Sequence, residues 1–212
     1  MNRGRPAAAS RLFLLSPAHC GGERARLVLN PRAPFDLARR LHTPPGAPLG
    51  EVFSLLSGLY FRGKLAYARA FARPPAGFVG AYVITPSEGV RPSDELVDAA
   101  RLRAFAEVPI DLGERRYRMP LERDIAQLAR TLPARAEVVL LGSVATGKYV
   151  DVLLGMLGAR LLFPSAFVGR GDMSRGGLML RAVRSGTELE CIPVQGALRR
   201  GPRPERLSPP RG

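Results

Sequence analysis

The sequence predicts a single α/β domain with a mostly parallel sheet flanked by helices. Short apolar runs of strand length alternate with helical patterns along the chain, as they do in layered α/β folds. With 212 residues, 46% of them hydrophobic, the chain is long enough to build one such domain around a substantial core. No apolar run approaches the ~18 residues that span a bilayer, so we expect no membrane segment.

The first half of the sequence supplies most of the predicted elements. Pro31 and Pro74 end two of the helical patterns, because proline lacks the N–H group that a continuing helix needs. The second of these patterns is interrupted at Ser57-Gly58. The predicted elements are a strand at 12–16, helices at 23–30, 35–41 and 51–71, a central strand at 78–85 and a helix start near Ser93.

The second half predicts a strand–helix–strand unit and a terminal hairpin. Pro120 suits the first turn of a helix over residues 120–132, whose leucines and Ile125 form an apolar stripe. The unit that follows consists of a strand at 138–141, a helix after Thr146 and a strand at 159–163. Residues 178–183 and 188–194 are then predicted to pair as a C-terminal β-hairpin across Ser185-Gly186.

Charge is concentrated at the two ends of the chain. The net charge is +14, and we expect a basic flexible N-terminus over residues 1–11, one α/β domain over 12–196, and a basic, Pro-rich disordered tail over 197–212. This charge is compatible with a polyanion partner such as DNA or RNA. An Ala-, Gly-, Pro- and Arg-rich composition is also what a GC-rich genome produces, so both interpretations stay open.

Cysteine and histidine are scarce. The two cysteines, Cys20 and Cys191, lie far apart, which predicts a cytoplasmic protein without a disulfide framework. With only two histidines in addition, the sequence predicts no metal site and no cofactor.

The segment from Gly142 to Tyr149 is the most specific motif. It follows an apolar strand, opens a helix and matches seven of the eight positions of the phosphate-binding pattern G-x-x-x-x-G-K-[ST]. Tyr149 replaces the hydroxyl residue that holds magnesium, which argues against a nucleoside-triphosphate hydrolase. The alternatives are a phosphate-binding turn or a plain strand-to-helix connection. The residues of the predicted turn are Gly142, Ser143, Thr146, Gly147 and Lys148.

Lysine is rare, which makes its positions informative. Against 30 arginines there are only Lys64 and Lys148, each directly after a glycine. A compact ammonium and a planar guanidinium are not interchangeable where a charge must fit a tight pocket. Lys64 falls on a helix face with Tyr60 and Tyr67, where a buried ammonium without a partner is costly. We expect it to reach a phosphate or carboxylate, or to extend to solvent.

A glycine-rich segment over residues 167–177 carries further charged candidates. Its Arg170 and Arg175 are predicted to clamp a phosphate from a loop, the alternative being an ordinary solvated loop with an Arg–Asp pair. Asp172 in the same segment and Glu88, after the central strand, are the acid–base candidates. The adjacent His19 and Cys20 form a weaker candidate pair, because adjacent side chains need not meet.

Short motifs resemble a known family. Leu14-Leu-Ser-Pro-Ala18 looks like the strand that opens the bacterial peroxide-stress YaaA-like proteins, with His19 at the place of their lysine. Gly89 to Asp94 fits their Gly-hydrophobic-x-Pro-x-Asp loop, and Ser57 to Lys64 looks like the helix before their central strand. The resemblance covers roughly residues 12–94. It implies a cytosolic α/β protein with a positively charged cleft for DNA, or a pocket for nucleobase chemistry similar to that of uracil-DNA glycosylases.

Three functions remain open on the sequence alone. The first is binding of a nucleic acid or a nucleotide-like small molecule, with the predicted turn as the phosphate site and Ser16, Lys64 and Glu88 lining the floor. The second is an enzyme of glycosidase or hydrolase type acting on a nucleoside or small phosphorylated substrate, with Glu88 or Asp172 as the acid–base group. The third is a non-catalytic interaction protein. The sequence assigns neither a reaction nor an oligomeric state.

Overall fold

The computed structural model describes residues 9–205, which form a six-stranded sheet, a separate strand pair and the helices around them. In the sheet the strand order is β4-β3-β1-β6-β7-β8, while β2 and β5 form the separate antiparallel pair. The strands in chain order are β1 (Arg11–Leu15), β2 (Ala47–Pro48), β3 (Ala81–Ile84), β4 (Val90–Pro92), β5 (Leu96–Val97), β6 (Glu137–Leu141), β7 (Leu161–Pro164) and β8 (Cys191–Pro193).

The middle of the sheet is parallel and the two edges are antiparallel. β3, β1, β6 and β7 run in one direction, and β4 and β8 run against their neighbours. Residues 12–15 of β1 and 138–141 of β6 are completely buried, as expected for parallel strands covered on both faces. The predicted α/β class with a mostly parallel sheet is confirmed.

Helices cover both faces of this sheet. In residues 9–205 they are α1 (Glu23–Leu29), α2 (Asp36–Leu41), α3 (Leu49–Ser57), α4 (Leu59–Phe71), α5 (Ala99–Ala106), α6 (Arg115–Thr131), α7 (Gly147–Leu157) and α8 (Asp172–Ser185). α4 packs on β1 and β3 and against α8, whereas α7 packs on β7 and against α6. None of the helices in this described range is long and apolar enough to cross a membrane.

The strand order reverses between β1 and β6. From β1 the chain crosses through α4 to β3 on one side, and from β6 it crosses through α7 to β7 on the other. Because such crossovers are right-handed, α4 and α7 lie on opposite faces of the sheet. The loops that follow β1 and β6 therefore diverge at the carboxyl ends of the two strands, which is where open α/β sheets form their ligand crevices.

Several predicted elements need correction. A C-terminal antiparallel strand pair is present, but it consists of β7 and β8, since residues 178–183 lie inside α8. That helix also takes up the second half of the predicted glycine-rich loop. Pro120 lies inside α6 rather than in its first turn, and the helix predicted near Ser93 begins only at Ala99, after β5.

The two ends of the chain are described only in part. Residues 1–8 of the predicted flexible N-terminus and 206–212 of the predicted disordered tail lie outside the described residues. Residues 197–205 have no regular secondary structure but contact the domain. Arg200 donates to the Ala145 carbonyl at 3.1 Å, and Arg199 pairs with Asp151 at 3.3 Å.

Candidate functional site

A crevice of about 580 Å³ opens at the carboxyl ends of β1 and β6. This volume lies within the ~300–1,000 Å³ typical of small-molecule pockets. Its walls come from the loop after β1, the junction of α3 and α4, the loop between α5 and α6, the turn between β6 and α7, and the start of α8. Its polar and charged lining residues are Ser16, His19, Ser57, Tyr60, Asp111, Ser143, Lys148, Tyr149 and Asp172.

Ser16, directly after β1, lies on the buried floor of this crevice. Its side chain is 5% exposed, and its hydroxyl accepts a hydrogen bond from Lys64 Nζ at 3.0 Å. The same ammonium donates to the Ser16 carbonyl at 2.8 Å. Neither contact is local in sequence, because Lys64 lies on α4 and Ser16 directly follows β1.

Lys64 is fully buried beneath Ser16. Its Nζ lies 4.4 Å from the centre of the Tyr60 ring and 4.5 Å from that of Phe61. Burial lowers the pKa of Lys64 to about 7, with Asp172 opposing that shift and Arg175 adding to it. Lys64 neither pairs with a carboxylate nor extends to solvent, since in the described chain its partners are the carbonyl and hydroxyl of one serine. The phosphate alternative stays a prediction.

Tyr149 closes the floor from the other side. Burial raises the pKa of this phenol, and the neighbouring Ser16 side chain and Ser143 backbone act against that shift. A Cβ atom at Gly142 would lie 2.7 Å from Ser16 Cβ and 2.9 Å from Tyr149 Oη. The residue that departs from the phosphate-binding pattern therefore points back under the turn and joins it to the end of β1.

The turn between β6 and α7 presents free donors. In the described chain the backbone N–H groups of Val144, Ala145 and Thr146 donate to no acceptor, and the first N–H groups of α7 have no partner within the helix. Lys148 lines the crevice, is exposed and forms no ion pair or hydrogen bond with any described residue. Asp151, one turn into α7, lies against Gly147 and is paired with Arg199.

Two glycines bring α8 to the crevice. A Cβ at Gly63 would lie 2.7 Å from the Gly176 carbonyl oxygen, and one at Gly176 would lie 2.9 Å from Tyr60 Cα. This close approach of α4 and α8 places Arg175, which is 7% exposed, beside Tyr60. The Arg175 guanidinium is held by the Phe167 carbonyl at 3.2 Å and by Asp172 at 3.4 Å.

The Tyr60 hydroxyl is a buried polar group without a hydrogen bond. Tyr60 lines the crevice, and its hydroxyl oxygen is shielded from solvent with no bonded partner among the described residues. Burial raises the pKa of this phenol, and the Arg175 guanidinium acts against that shift without meeting the geometry of a hydrogen bond. Buried hydroxyls are normally paired, so this one is a candidate ligand contact.

Of the predicted site residues, Ser16, Ser143, Lys148 and Asp172 line the crevice, and Lys64 and Arg175 contact that lining, whereas Arg170 and Glu88 have other partners. Arg170 is bound to the Ala166 carbonyl at 3.0 Å and to Ser174 Oγ at 3.2 Å, where it holds the loop after β7. Glu88 forms ion pairs with Arg101 and Arg91 in the loop after β3. The structure thus brings Ser16, Lys64, the 142–148 turn, Asp172 and Arg175 together, but not Arg170 or Glu88.

The adjacent His19 and Cys20 are separated by burial. His19 is exposed at the crevice, whereas Cys20 is buried with its Sγ directed at the Ala18 carbonyl, 3.5 Å away. Burial raises the pKa of the Cys20 thiol to about 12, so the nucleophilic thiolate is suppressed at neutral pH.

Comparison of the chain with protein-family models, curated proteins and solved structures finds no match. The resemblance to the YaaA-like proteins stays a prediction. The residues of the described chain contain no cluster of three or more His, Cys, Asp or Glu side chains with the geometry of a metal site.

Sequence reasoning missed part of the site. Asp111 and the neighbouring Pro109 and Ile110 line the crevice from the loop before α6, which carried no motif. Tyr60 carries no signal in the sequence beyond its helical spacing with Lys64 and Tyr67, and Tyr149 is visible only as a departure from the phosphate-binding pattern. The signal for Tyr149 was its position at the start of a helix, where a large side chain turns back over the preceding turn.

Proposed function

We propose that the crevice binds a phosphorylated small molecule of about nucleotide size, with its phosphate on the turn between β6 and α7. The observation that carries this proposal is a set of unpaired donors on that turn: the N–H groups of Val144, Ala145 and Thr146, and the ammonium of Lys148, which with Ser143 lines the crevice. A phosphate accepts hydrogen bonds from such a run of backbone N–H groups, and the start of the helix adds favourable partial charge.

A buried cation supports the same assignment. Arg175 lies behind the crevice wall, and the carboxylate paired with it is the largely exposed Asp172, with 66% of its side chain open to solvent. An anion in the crevice would add to the compensation of the Arg175 charge. The unpaired Tyr60 hydroxyl supplies one more donor on the same side.

The negative charges at the crevice favour a small molecule over a nucleic-acid polymer. Asp111 and Asp172 stand exposed at the crevice, where they would repel a continuous phosphate backbone. Both carboxylates suit the hydroxyl groups of a sugar or the amino group of a base. A nucleoside phosphate therefore matches the arrangement of charges better than DNA or RNA.

The proposal is tested by isothermal titration of the full chain with AMP, ADP, ATP and ribose 5-phosphate. We expect at least one of them to bind, and Lys148→Ala to weaken that binding by about tenfold or more, as the loss of a charge-assisted hydrogen bond implies. Arg135→Ala is the matched control, because Arg135 is exposed in the loop before β6, at the opposite end of the strand. We expect it to change affinity less than twofold.

Three results would contradict the proposal. One is the absence of binding by all four compounds. Another is an equal loss of affinity in the Lys148 and Arg135 variants, which would indicate attraction by overall charge alone. The third is binding of a single-stranded or duplex oligonucleotide with a steep salt dependence while the mononucleotides fail to compete, which would assign the crevice to a nucleic acid.

A further inference from the structure

We infer that Ser16 is a nucleophile, with Lys64 as its general base, that attacks the phosphorus of a phosphomonoester held in the crevice. This inference rests on the proposed function, because it takes the turn between β6 and α7 as the phosphate site.

The geometry of the pair is that of a nucleophile and its base. Lys64 Nζ lies 3.0 Å from Ser16 Oγ, within the range for direct proton transfer. Ser16 lines the crevice while Lys64 lies behind it, so a substrate meets the hydroxyl and not the amine. The second contact, to the Ser16 carbonyl, fixes the position of Nζ relative to the hydroxyl.

The surroundings of Lys64 favour the neutral amine that a base requires. From its own helix, Tyr60 and Phe61 enclose it; from α8, Arg175 disfavours its charge while Asp172 favours it. Tyr149 approaches the same serine from α7. Because burial outweighs the single, exposed carboxylate, the pKa of Lys64 falls to about 7, where proton acceptance and release are both accessible.

Ser16 Oγ stands next to the phosphate site. A Cβ at Gly142, the first residue of the turn, would lie 3.1 Å from this oxygen. A phosphoryl group bound along the turn would therefore have the hydroxyl at its edge. The charges of Lys148 and Arg175 would offset the charge on the transferring group.

The reaction balances with water as the only further reactant. Ser16 Oγ forms a bond to phosphorus as its proton passes to Lys64 Nζ, and the bond from phosphorus to the ester oxygen breaks. The departing alkoxide takes a proton from water, leaving hydroxide and phosphoserine. Hydroxide then attacks that phosphorus, the bond to Ser16 Oγ breaks, and Lys64 returns its proton to the serine, so that inorganic phosphate is released.

The first experiment measures the reactivity of Ser16 with a fluorophosphonate probe on the full chain, followed by peptide mapping. We expect one adduct, on Ser16, with a rate that rises between about pH 6 and about pH 8 as Lys64 loses its proton. Lys64→Met should slow labelling by about a hundredfold or more, as loss of a general base implies. Ser54→Ala is the matched control, because Ser54 lies on α3 outside the crevice lining with its hydroxyl bonded to the Gly50 carbonyl, and we expect it to label normally.

An adduct on another residue, or equal labelling of the Lys64→Met protein and the unaltered chain, would overturn the inference. If circular dichroism shows that the Lys64→Met protein does not fold, the test is the pH dependence of Ser16 labelling in the unaltered chain. A labelling rate that does not change with pH would overturn the role of Lys64 as general base. A Lys64 that only holds the Ser16 carbonyl would leave that profile unchanged.

The second experiment follows hydrolysis of p-nitrophenyl phosphate and traps phosphoserine by acid quench. Release of p-nitrophenol with phosphate on Ser16 supports the phosphomonoester, and Ser16→Ala should abolish both signals. Nucleotide binding without labelling or hydrolysis would overturn this inference and leave the proposed function intact. Labelling of Ser16 without binding of any phosphate ester would overturn the proposed function, and with it the phosphomonoester as substrate.

Discussion

Gly63 and Gly176 face each other where α4 crosses α8, and a side chain on either would enter the backbone of the other helix. A Cβ on Gly63 would lie 2.7 Å from the Gly176 carbonyl oxygen, and one on Gly176 would lie 2.8 Å from the Leu59 carbonyl oxygen. The contact brings Arg175 and Asp172 up to the helix that carries Lys64. The position of the Arg175 and Asp172 charges at the crevice therefore depends on the two glycines.

Gly176→Ala is expected to destabilise the fold. Backbone atoms, which cannot rotate away, surround the new methyl group, so α8 must move; such overpacking costs about 1–3 kcal/mol. The gain in helix propensity of about 1 kcal/mol for alanine offsets only part of this. Urea denaturation measures the change, and weaker nucleotide binding should accompany it because Arg175 and Asp172 shift with the helix.

Gly155→Ala is the matched control for that substitution and is expected to stabilise. Gly155 is also inside a helix, α7, but a Cβ there would have no neighbour within 4 Å. Alanine then gains about 0.5–1 kcal/mol by restricting the unfolded chain. Equal destabilisation by both alanines would show that the close approach of α4 and α8 is not what the glycines provide.

The helix α8 shows where prediction from the sequence failed. Gly171, Gly176 and Gly177 together with Asp172 have the composition of a loop, and the apolar run that follows suits a strand as well as a helix. Tertiary packing overrides propensity here, since Gly176 is required for the contact with α4. In contrast, the predictions for β1 and β6 are close, because continuous apolar runs of four residues between turns are typical of buried parallel strands.

The site was predictable in its parts but not in its arrangement. The turn at 142–148 and the importance of Lys64 follow from the motif and from the scarcity of lysine. The contact of Lys64 with Ser16 joins residues 48 positions apart, and no local pattern encodes it. Glu88 was a reasonable carboxylate after a strand, but β3 lies on the far side of β1 from the crevice between β1 and β6.

Lys64 is expected to make stability depend on pH in a defined direction. The pKa is about 7 in the folded chain against 10.5 for a free lysine, so between these values the unfolded chain binds the extra proton. The quantity to compare is the free energy of unfolding of the unaltered chain minus that of the Lys64→Met variant. This difference should rise with pH above about 7, by up to about 1.4 kcal/mol per pH unit, and level off near pH 10. Urea denaturation of both proteins from about pH 6 to about pH 9 measures it. A constant difference above pH 7 would mean that the ammonium stays charged when buried.

Glu88→Gln is expected to leave ligand binding unchanged. Glu88 and Arg101 are partly exposed, 28% and 30%, and belong to a network with Arg91 and Glu95 away from the crevice. Loss of the carboxylate should lower the free energy of unfolding by about 1 kcal/mol or less, since such pairs are screened by solvent. Titration with the nucleotide that binds the unaltered chain measures the affinity of the variant. A loss of affinity greater than about threefold would show that Glu88 belongs to the binding site.

Tyr149→Phe is expected to weaken the floor of the crevice, whereas Tyr117→Phe should not. Removing the Tyr149 hydroxyl takes away the polar group that faces Ser16 and the Ser143 backbone, while Ser16 keeps Lys64, so the cost is about 0.5–1.5 kcal/mol. Tyr117 is equally buried, but its hydroxyl has no hydrogen bond in the described chain, so phenylalanine there removes an unpaired polar group and should be neutral or stabilising. Thermal and urea denaturation compare the two variants, and fluorophosphonate labelling of Ser16 should slow only in the first. If both substitutions lower stability alike, the effect belongs to the loss of a phenol from the core and not to the link between the turn and β1.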